Sequence, residues 1–513
     1  MGQASIGVPK FFRVRFLVIK NEERRRPVRL LIGLGALLIA SVLGAIATRQ
    51  MAIHFGAASF GALTLALSFA VTVQTLTEFG QIQVLQRELV QSEHDEPRLL
   101  SMAIALRLII MVGAVPTALL VGWFLFRHTN HAYPVIAVMI VSVPLSSLSQ
   151  VFFSYYFNNF LNRRLAQYQI AQQVLALTGI SILINHHRPL IECAGVIVCS
   201  SFIILASMAL DVQRKVHLRP SINKFYAIWF LREAASVGFS TLLLAMYQRA
   251  DVLLLAVEGT SIQVGHYGIV MAISSFFVMI PTMLARNFMP LISRPDRHHW
   301  LATLRDLQNY SWALGFGSVV VIESTAPYVI HLFAGSEYLA AVTPLRILCV
   351  GLVASFIIPV LTLLSLARGK QRSMLRPTLL MLIVNVVLNA LVIPRYGIAG
   401  CAWATVASEF AGLAAMTRVV QRELRLRPSQ YLRPLPAAAA AATALAAVWP
   451  IWHFHPASFL QLIISLVVVA VVFGSVLAMC GGFPRSIQKI VLPGRRSRPG
   501  KWMSFAIRDP WTR

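Results

Sequence analysis

The sequence predicts an all-α polytopic membrane protein of about fourteen transmembrane helices, arranged as two pseudo-symmetric six-helix lobes plus two extra C-terminal helices. Three observations carry this reading. Apolar runs of about 20 residues, long enough to span a bilayer as a helix, recur along the whole chain. Only 12% of the 513 residues are charged, half of the roughly 25% usual in a soluble domain, and mean hydropathy is +0.70. Lys and Arg crowd into every second break between the runs, as they do in cytoplasmic loops. Hydrocarbon offers no partner for a backbone amide, so the runs are helices rather than open strands.

Taken in order, the spans lie near 28–48, 58–80, 100–126, 133–157, 168–185, 190–210, 225–247, 264–284, 309–333, 343–366, 376–393, 397–419, 435–452 and 458–480. The first six make a lobe at 28–210 and the next six a lobe at 225–419. The pair at 435–480 follows, and basic arms at 1–27 and 484–513 flank the whole. The fifth run is short and the thirteenth largely alanine, Ala437 to Ala442. With a cytoplasmic N-terminus, 37 of the 45 Lys and Arg fall in the two arms and the even-numbered loops. Five (Arg49, Arg127, Arg188, Arg249, Arg395) fall in the opposite loops and three (Arg107, Arg232, Arg346) within spans. A missed or invented helix inverts this alternation downstream. Both termini are therefore expected in the cytoplasm, with the loops at 127–132 and 334–342 outside. The longest outward loop is expected at about 248–263, too short for an external domain.

The net charge of +26 sits in short breaks between apolar runs, so it reads as membrane orientation rather than nucleic-acid binding. Lys10 to Arg29 mixes aromatics with eight cations, which suits either a solvated arm or one lying on anionic lipid. The five cysteines (Cys193, Cys199, Cys349, Cys401, Cys480) lie in apolar segments without a C-x-x-C pair, so neither a disulfide framework nor a metal site is expected. The first apolar run continues as a full span and lacks an A-x-A exit, so no cleavable signal is expected. No ATP-hydrolysing or catalytic motif stands out, so no cofactor and no enzyme activity are expected.

Two stretches six spans apart echo each other. Arg49 is followed by Phe60-Gly61-Ala62-Leu63, and Arg249-Ala250-Asp251 by Tyr267-Gly268-Ile269-Val270. Transporters whose halves rock around a central site carry repeats of this kind.

Four blocks give the sequence a family likeness. They are Thr48-Arg49 through Phe60-Gly61 to Glu78-Phe79-Gly80, Arg249-Ala250-Asp251 with Gly265-His266-Tyr267, and Leu332 to Ala341 leading to Pro344-Leu345-Arg346. The fourth runs from Asn385 and Asn389 through Pro394 and Gly397 to Thr405 and Ser408-Glu409. In these blocks the chain resembles the polysaccharide exporters and O-antigen flippases of the multidrug/oligosaccharidyl-lipid/polysaccharide exporter superfamily. It departs from the family at Gln50 to Ala52, which lacks the usual leucine-glycine pair, and at Glu78, where aspartate is commoner. The resemblance implies two six-helix lobes around a central cavity and alternating access. It further implies transfer of an isoprenoid-diphosphate-linked glycan to the outer leaflet of a bacterial inner membrane, for lipopolysaccharide or exopolysaccharide synthesis. Membrane lipids and polysaccharide assembly proteins would be the partners.

Ionisable residues inside spans are costly and mark candidate sites. Arg107, Arg232 and Arg346, with Arg49 and Arg249 at span ends, offer planar forks for a diphosphate; static ion pairs or snorkelling side chains are the alternative. Asn385 and Asn389 share a helix face for interhelical hydrogen bonding or ligand contact. Glu323, mid-span, with Glu409 and Asp251, are candidates for coupling to a H⁺ or Na⁺ gradient, a structural role being the alternative. Arg249 and Asp251 suit a gate or a structural pair. The loop pairs His186-His187 and His298-His299 sit beside Arg, which disfavours a metal. Pro144, Pro281, Pro327 and Pro359 are candidate hinges. A multidrug or organic-cation antiporter of the same superfamily would want acidic, aromatic surroundings instead. A membrane polysaccharide polymerase or ligase would want a large outward loop.

Overall fold

The computed structural model describes residues 10–480, apart from short stretches at 92–95, 128, 130–131, 160, 217, 219–223, 294–296, 428, 430–431 and 455–458. The expected C-terminal arm at 484–513 and the first nine residues of the N-terminal arm lie outside the described residues.

Thirteen α-helices occupy the described chain. They are α1 (Lys10–Glu78), α2 (Gln81–Gln91), α3 (Glu96–Phe126), α4 (Ala132–Asn158), α5 (Asn162–Asn185), α6 (Leu190–Gln213) and α7 (Lys224–Glu258). Then follow α8 (Ser261–Ile292), α9 (Arg297–Ala334), α10 (Val342–Ala367), α11 (Leu375–Leu424), α12 (Leu435–Phe454) and α13 (Phe459–Met479). Two helices are broken at glycines in conformations that other residues rarely adopt, α1 at Gly56 (φ 73°) and α11 at Gly397 (φ 53°). Counting each half separately and setting α2 aside leaves fourteen helices, which coincide with the fourteen expected spans.

Three details differ from the sequence reading. The expected loop after the first span is a one-residue break, so Arg49 sits in continuous helix. The loop expected at about 248–263 is only the turn at Gly259–Thr260, because α7 runs on to Glu258 and α8 begins at Ser261. The loop after the second span contains α2, whose Val84, Leu85 and Leu89 are buried against α3, α4, α6 and α7. An 11-residue amphipathic helix is too short and too polar to register as an apolar run.

Among the described residues, ten segments are long and apolar enough to cross a membrane. Two of them, Leu38–Glu78 at 41 residues and Arg372–Leu424 at 53, hold two crossings each, since a crossing takes about 20 residues. The fifth and thirteenth spans, α5 and α12, are not among the ten. The reason in α5 is its glutamines, which face neighbouring helices: Gln173 lies against Gly44, and Gln172 donates to Ser201 Oγ (3.2 Å). Over its described part, Leu435–Pro450, α12 is apolar but shorter than the other spans, and its alanines close the packing, with Ala440 and Ala444 fully buried.

Contacts divide the chain into two units. The first comprises α1 to α7 and the start of α8 through Ile269, with 333–338 and 389–398 added from later in the sequence. Its core joins Val151, Phe152, Tyr155 and Tyr156 of α4 to Leu99 and Leu100 of α3, Met208 and Val212 of α6, and Phe230 of α7. At one end Asp211 collects Tyr156 Oη (2.7 Å), Arg164 Nη1 (2.6 Å) and Lys215 Nζ (2.8 Å), tying α4, α5 and α6 together. The second unit holds the rest of α8, α9, α10, most of α11, and α12 and α13. There Val320 of α9 packs among Ala441, Ala444 and Val448 of α12 and Val469 of α13.

Candidate functional site

Parts of all four sequence blocks meet in the first unit. The break at Gly56 leaves the amide of Ala57 without an intrahelical acceptor, and Glu337 Oε1 accepts it at 2.8 Å. A Cβ on Gly56 would stand 3.3 Å from that carboxylate. The carbonyl of Glu337 lies 3.2 Å from His266 Nε2, and Tyr338 Oη donates to the Ala52 carbonyl at 3.1 Å. Tyr338 also lies edge-on to the rings of Phe60 and His266.

Directly beside this clasp α1 crosses α8 at van der Waals limit. A Cβ on Gly61 would lie 1.9 Å from the Ser261 carbonyl oxygen, and one on Gly265 2.0 Å from that of Ala57. Ala57-x₃-Gly61 and Ser261-x₃-Gly265 are thus facing small-residue pairs that let two backbones touch. The aromatic-glycine echo in the sequence is this crossing, seen from both helices. At the other end of the same half of α1, Gly80 (φ 78°) sits on Ala234 and Gly238 of α7.

Asp251, 3% exposed, accepts hydrogen bonds from Tyr267 Oη (3.0 Å) and Asn389 Nδ2 (2.9 Å). The structure therefore brings together two of the predicted residues, Asp251 and Asn389, through an interhelical bond. Arg249 is half-buried on the same helix, whereas Arg49 on α1 and Arg232 on α7 are exposed. Beside Arg232, Glu233 pairs with Arg87 of α2 at 3.1 Å.

Arg107 of α3 is the deep cation of the first unit, 1% exposed. Its Nη1 donates to the carbonyl and to Oγ of Ser147 on α4, the latter at 2.7 Å. Glu78 Oε1 approaches Nη1 only to 3.8 Å, beyond hydrogen-bond range, and takes a bond from Gln74 Nε2 at 2.9 Å instead. The other guanidinium edge, Nη2, is buried with no hydrogen-bond partner. Sequence reasoning had named Arg107 and Glu78 separately; 29 residues and a turn separate them, and only the packing of α3 against α1 pairs them.

In the second unit Arg346 of α10 and Glu323 of α9 form an ion pair at 3.4 Å, and Arg346 Nη2 donates to the Glu323 carbonyl at 3.3 Å. Glu323 is therefore paired, not isolated, and Cys349 Sγ lies 3.7 Å from its Oε1. Glu409 of α11 is half-buried with its Cγ beside Gly351 of α10, and Asn385 is fully buried. Among the described residues, no group of three or more His, Cys, Asp or Glu is placed to hold a metal ion.

A family model described as "Polysaccharide biosynthesis protein" matches residues 31–296, just over half of the chain. The chain belongs to the polysaccharide biosynthesis protein family. In fold this family member is similar to the lipid II flippase MurJ in its inward closed conformation, with a TM-score of 0.75 at 13% identity over 88% of this chain and 98% of that one. It is also similar to an inward-facing multidrug resistance MATE family transporter of the MOP superfamily (TM-score 0.58, 15% identity, 76% and 98% covered). The eukaryotic MATE transporter AtDTX14 matches with a TM-score of 0.55, 14% identity, and 82% and 99% covered. No curated protein matches the sequence. The protein is thus a multi-pass membrane protein with the fold of MOP-superfamily transporters.

Proposed function

We propose that the protein is a flippase that carries an isoprenoid-diphosphate-linked oligosaccharide from the cytoplasmic to the outer leaflet of a bacterial inner membrane, by alternating access. The observation that carries this reading is the family match across 31–296 in a chain with a flippase-like fold over 88% of its length. The buried Arg107, with one guanidinium edge lacking an acceptor, supports an anionic cargo, because a buried cation gains most from a ligand that supplies charge-assisted hydrogen bonds. The same feature favours a diphosphate headgroup over the organic cation that an antiporter would carry. Energy comes from a H⁺ or Na⁺ gradient, with Asp251, Glu323 and Glu409 as the coupling carboxylates, and both termini lie in the cytoplasm.

Deletion tests the reading. Cells lacking the protein should accumulate lipid-linked glycan on the cytoplasmic leaflet, recoverable by re-expression. Unchanged lipid-linked glycan pools and an intact surface polysaccharide would overturn it.

A further inference from the structure

Three of the five serines and threonines on α9 satisfy themselves. Ser318, Ser324 and Thr325 each donate to the carbonyl four residues earlier, at 2.7, 2.6 and 2.6 Å, which is how hydroxyls are tolerated in apolar helices. One short stretch of the same helix breaks the pattern. Gln308 and Ser311 are fully buried and Trp312 is 7% exposed. Yet Gln308 Nε2 and Oε1, Ser311 Oγ and Trp312 Nε1 all lack a hydrogen-bond partner. Residues 308, 311 and 312 stand at i, i+3 and i+4, so they share one helix face. Four unmet polar atoms on one face are not a random residue of packing, since nearly all buried polar atoms in native proteins are paired.

Apolar side chains of similar shape would stabilise this closed packing better. The polar set is therefore spent on a state in which the face is open. Its chemistry identifies what meets it there. The set is neutral, so it does not suit the diphosphate, which wants Arg. It combines an amide that donates and accepts, a hydroxyl, and an indole N–H. It also carries an aromatic surface, Trp312 stacked on Phe316 at 6.0 Å and 27°. Vicinal hydroxyls and the apolar ring faces of a sugar match this arrangement. Arg305 and Asp306 precede it on α9, which sets Gln308 about one turn inside the polar end of the helix.

We infer that the Gln308–Ser311–Trp312 face of α9 is a contact site for the neutral sugar residues of the cargo, closed in this conformation and opened during transport. The inference rests on the flippase reading and adds the part of the substrate that α9 recognises.

The test has two arms in the full-length protein. First, Ser311→Cys is introduced where Cys193, Cys199, Cys349, Cys401 and Cys480 have been replaced with export retained. It is then probed with a small membrane-impermeant maleimide in inside-out membrane vesicles from cells that do and do not make the lipid-linked glycan. Labelling well above the cysteine-free background is expected without glycan, and protection with it. Second, Gln308→Leu and Trp312→Phe, each removing hydrogen bonds to sugar hydroxyls, should lower export about tenfold at normal membrane levels, and Gln308→Leu should melt no lower than the wild type. Absence of labelling overturns the inference, as does labelling that glycan leaves unchanged. Wild-type export by both polar-to-apolar variants overturns it too, as does loss of export accompanied by loss of stability. The flippase reading fails separately, through the deletion experiment, which none of these variants enters.

Discussion

Replacing Gly61 by alanine puts one methyl group where the structure has no room for it. The new Cβ would sit 1.9 Å from the Ser261 carbonyl oxygen and 2.9 Å from the Gly265 nitrogen, both backbone atoms that cannot rotate away. Ordinary contact begins near 3.4 Å, so α1 and α8 must part by about 1.5 Å. A gap of 0.5–1 Å already forfeits a quarter to a half of each contact's dispersion energy, which places the cost near the top of the usual 1–3 kcal/mol for overpacking. Alanine also raises helix propensity by about 1 kcal/mol, leaving a net loss of about 2 kcal/mol. Gly113 of α3 supplies the control, because a Cβ there meets nothing within 4 Å. Gly113→Ala should gain about 0.5–1 kcal/mol. The two variants, identical in chemistry, should therefore differ by about 3 kcal/mol in opposite directions. Thermal unfolding of detergent-purified protein reads the difference, with membrane abundance as a second measure. A Gly61→Ala protein as stable as Gly113→Ala would refute the view that α1 and α8 touch backbone to backbone.

Three further outcomes are expected. Arg107→Ala should abolish export and Arg107→Lys restore part of it, since lysine keeps the charge and can still reach Ser147 but loses the second guanidinium edge, Nη2; surface glycan in a deletion strain measures both, and normal export by the alanine variant at wild-type abundance removes Arg107 from the cargo path. Glu323→Gln and Glu409→Gln should fold yet weaken the dependence of transport on an imposed H⁺ or Na⁺ gradient, and unaltered dependence in both assigns them structural roles. Glu337→Ala should cost about 1–2 kcal/mol of stability by uncapping the Ala57 amide, whereas Glu337→Gln, whose amide oxygen can still accept, should cost about half as much; equal melting of the two would mean the Ala57 bond contributes nothing.

Much of the fold was legible because a bilayer imposes one dominant rule, and fourteen helices match fourteen apolar runs on that rule alone. What escaped was anything not encoded as hydropathy. Gly56 and Gly397 break two helices without a polar loop to announce the turn, and α2 hides in a loop because its burial depends on protein neighbours rather than lipid. The motif residues were visible, but their partners were not. Asp251 and Asn389 stood 138 positions apart, and no spacing rule links them. Glu337 passed as an unremarked loop carboxylate until the free amide of Ala57 gave it a purpose. The unpaired atoms of Gln308 and Trp312 could not be read at all, since an unmet hydrogen bond is a property of surroundings.

The two short segments that the second half of the chain lends to the first unit bear on how the protein is made. Asp251 waits for Asn389, and the Ala57 amide for Glu337. A ribosome adding roughly 5–20 residues per second delivers Asn389 some ten seconds after it has finished the first unit's continuous portion at Ile269. Throughout that interval α1 to α7 stand in the membrane with a buried carboxylate short of one donor and a helix end uncapped. Early helices must therefore be held, by the insertion machinery or by each other, until later ones arrive. A fragment ending near residue 270 is an unfinished intermediate rather than an independent half, and splitting the gene there should give two products that are degraded alone and rescued only when made together.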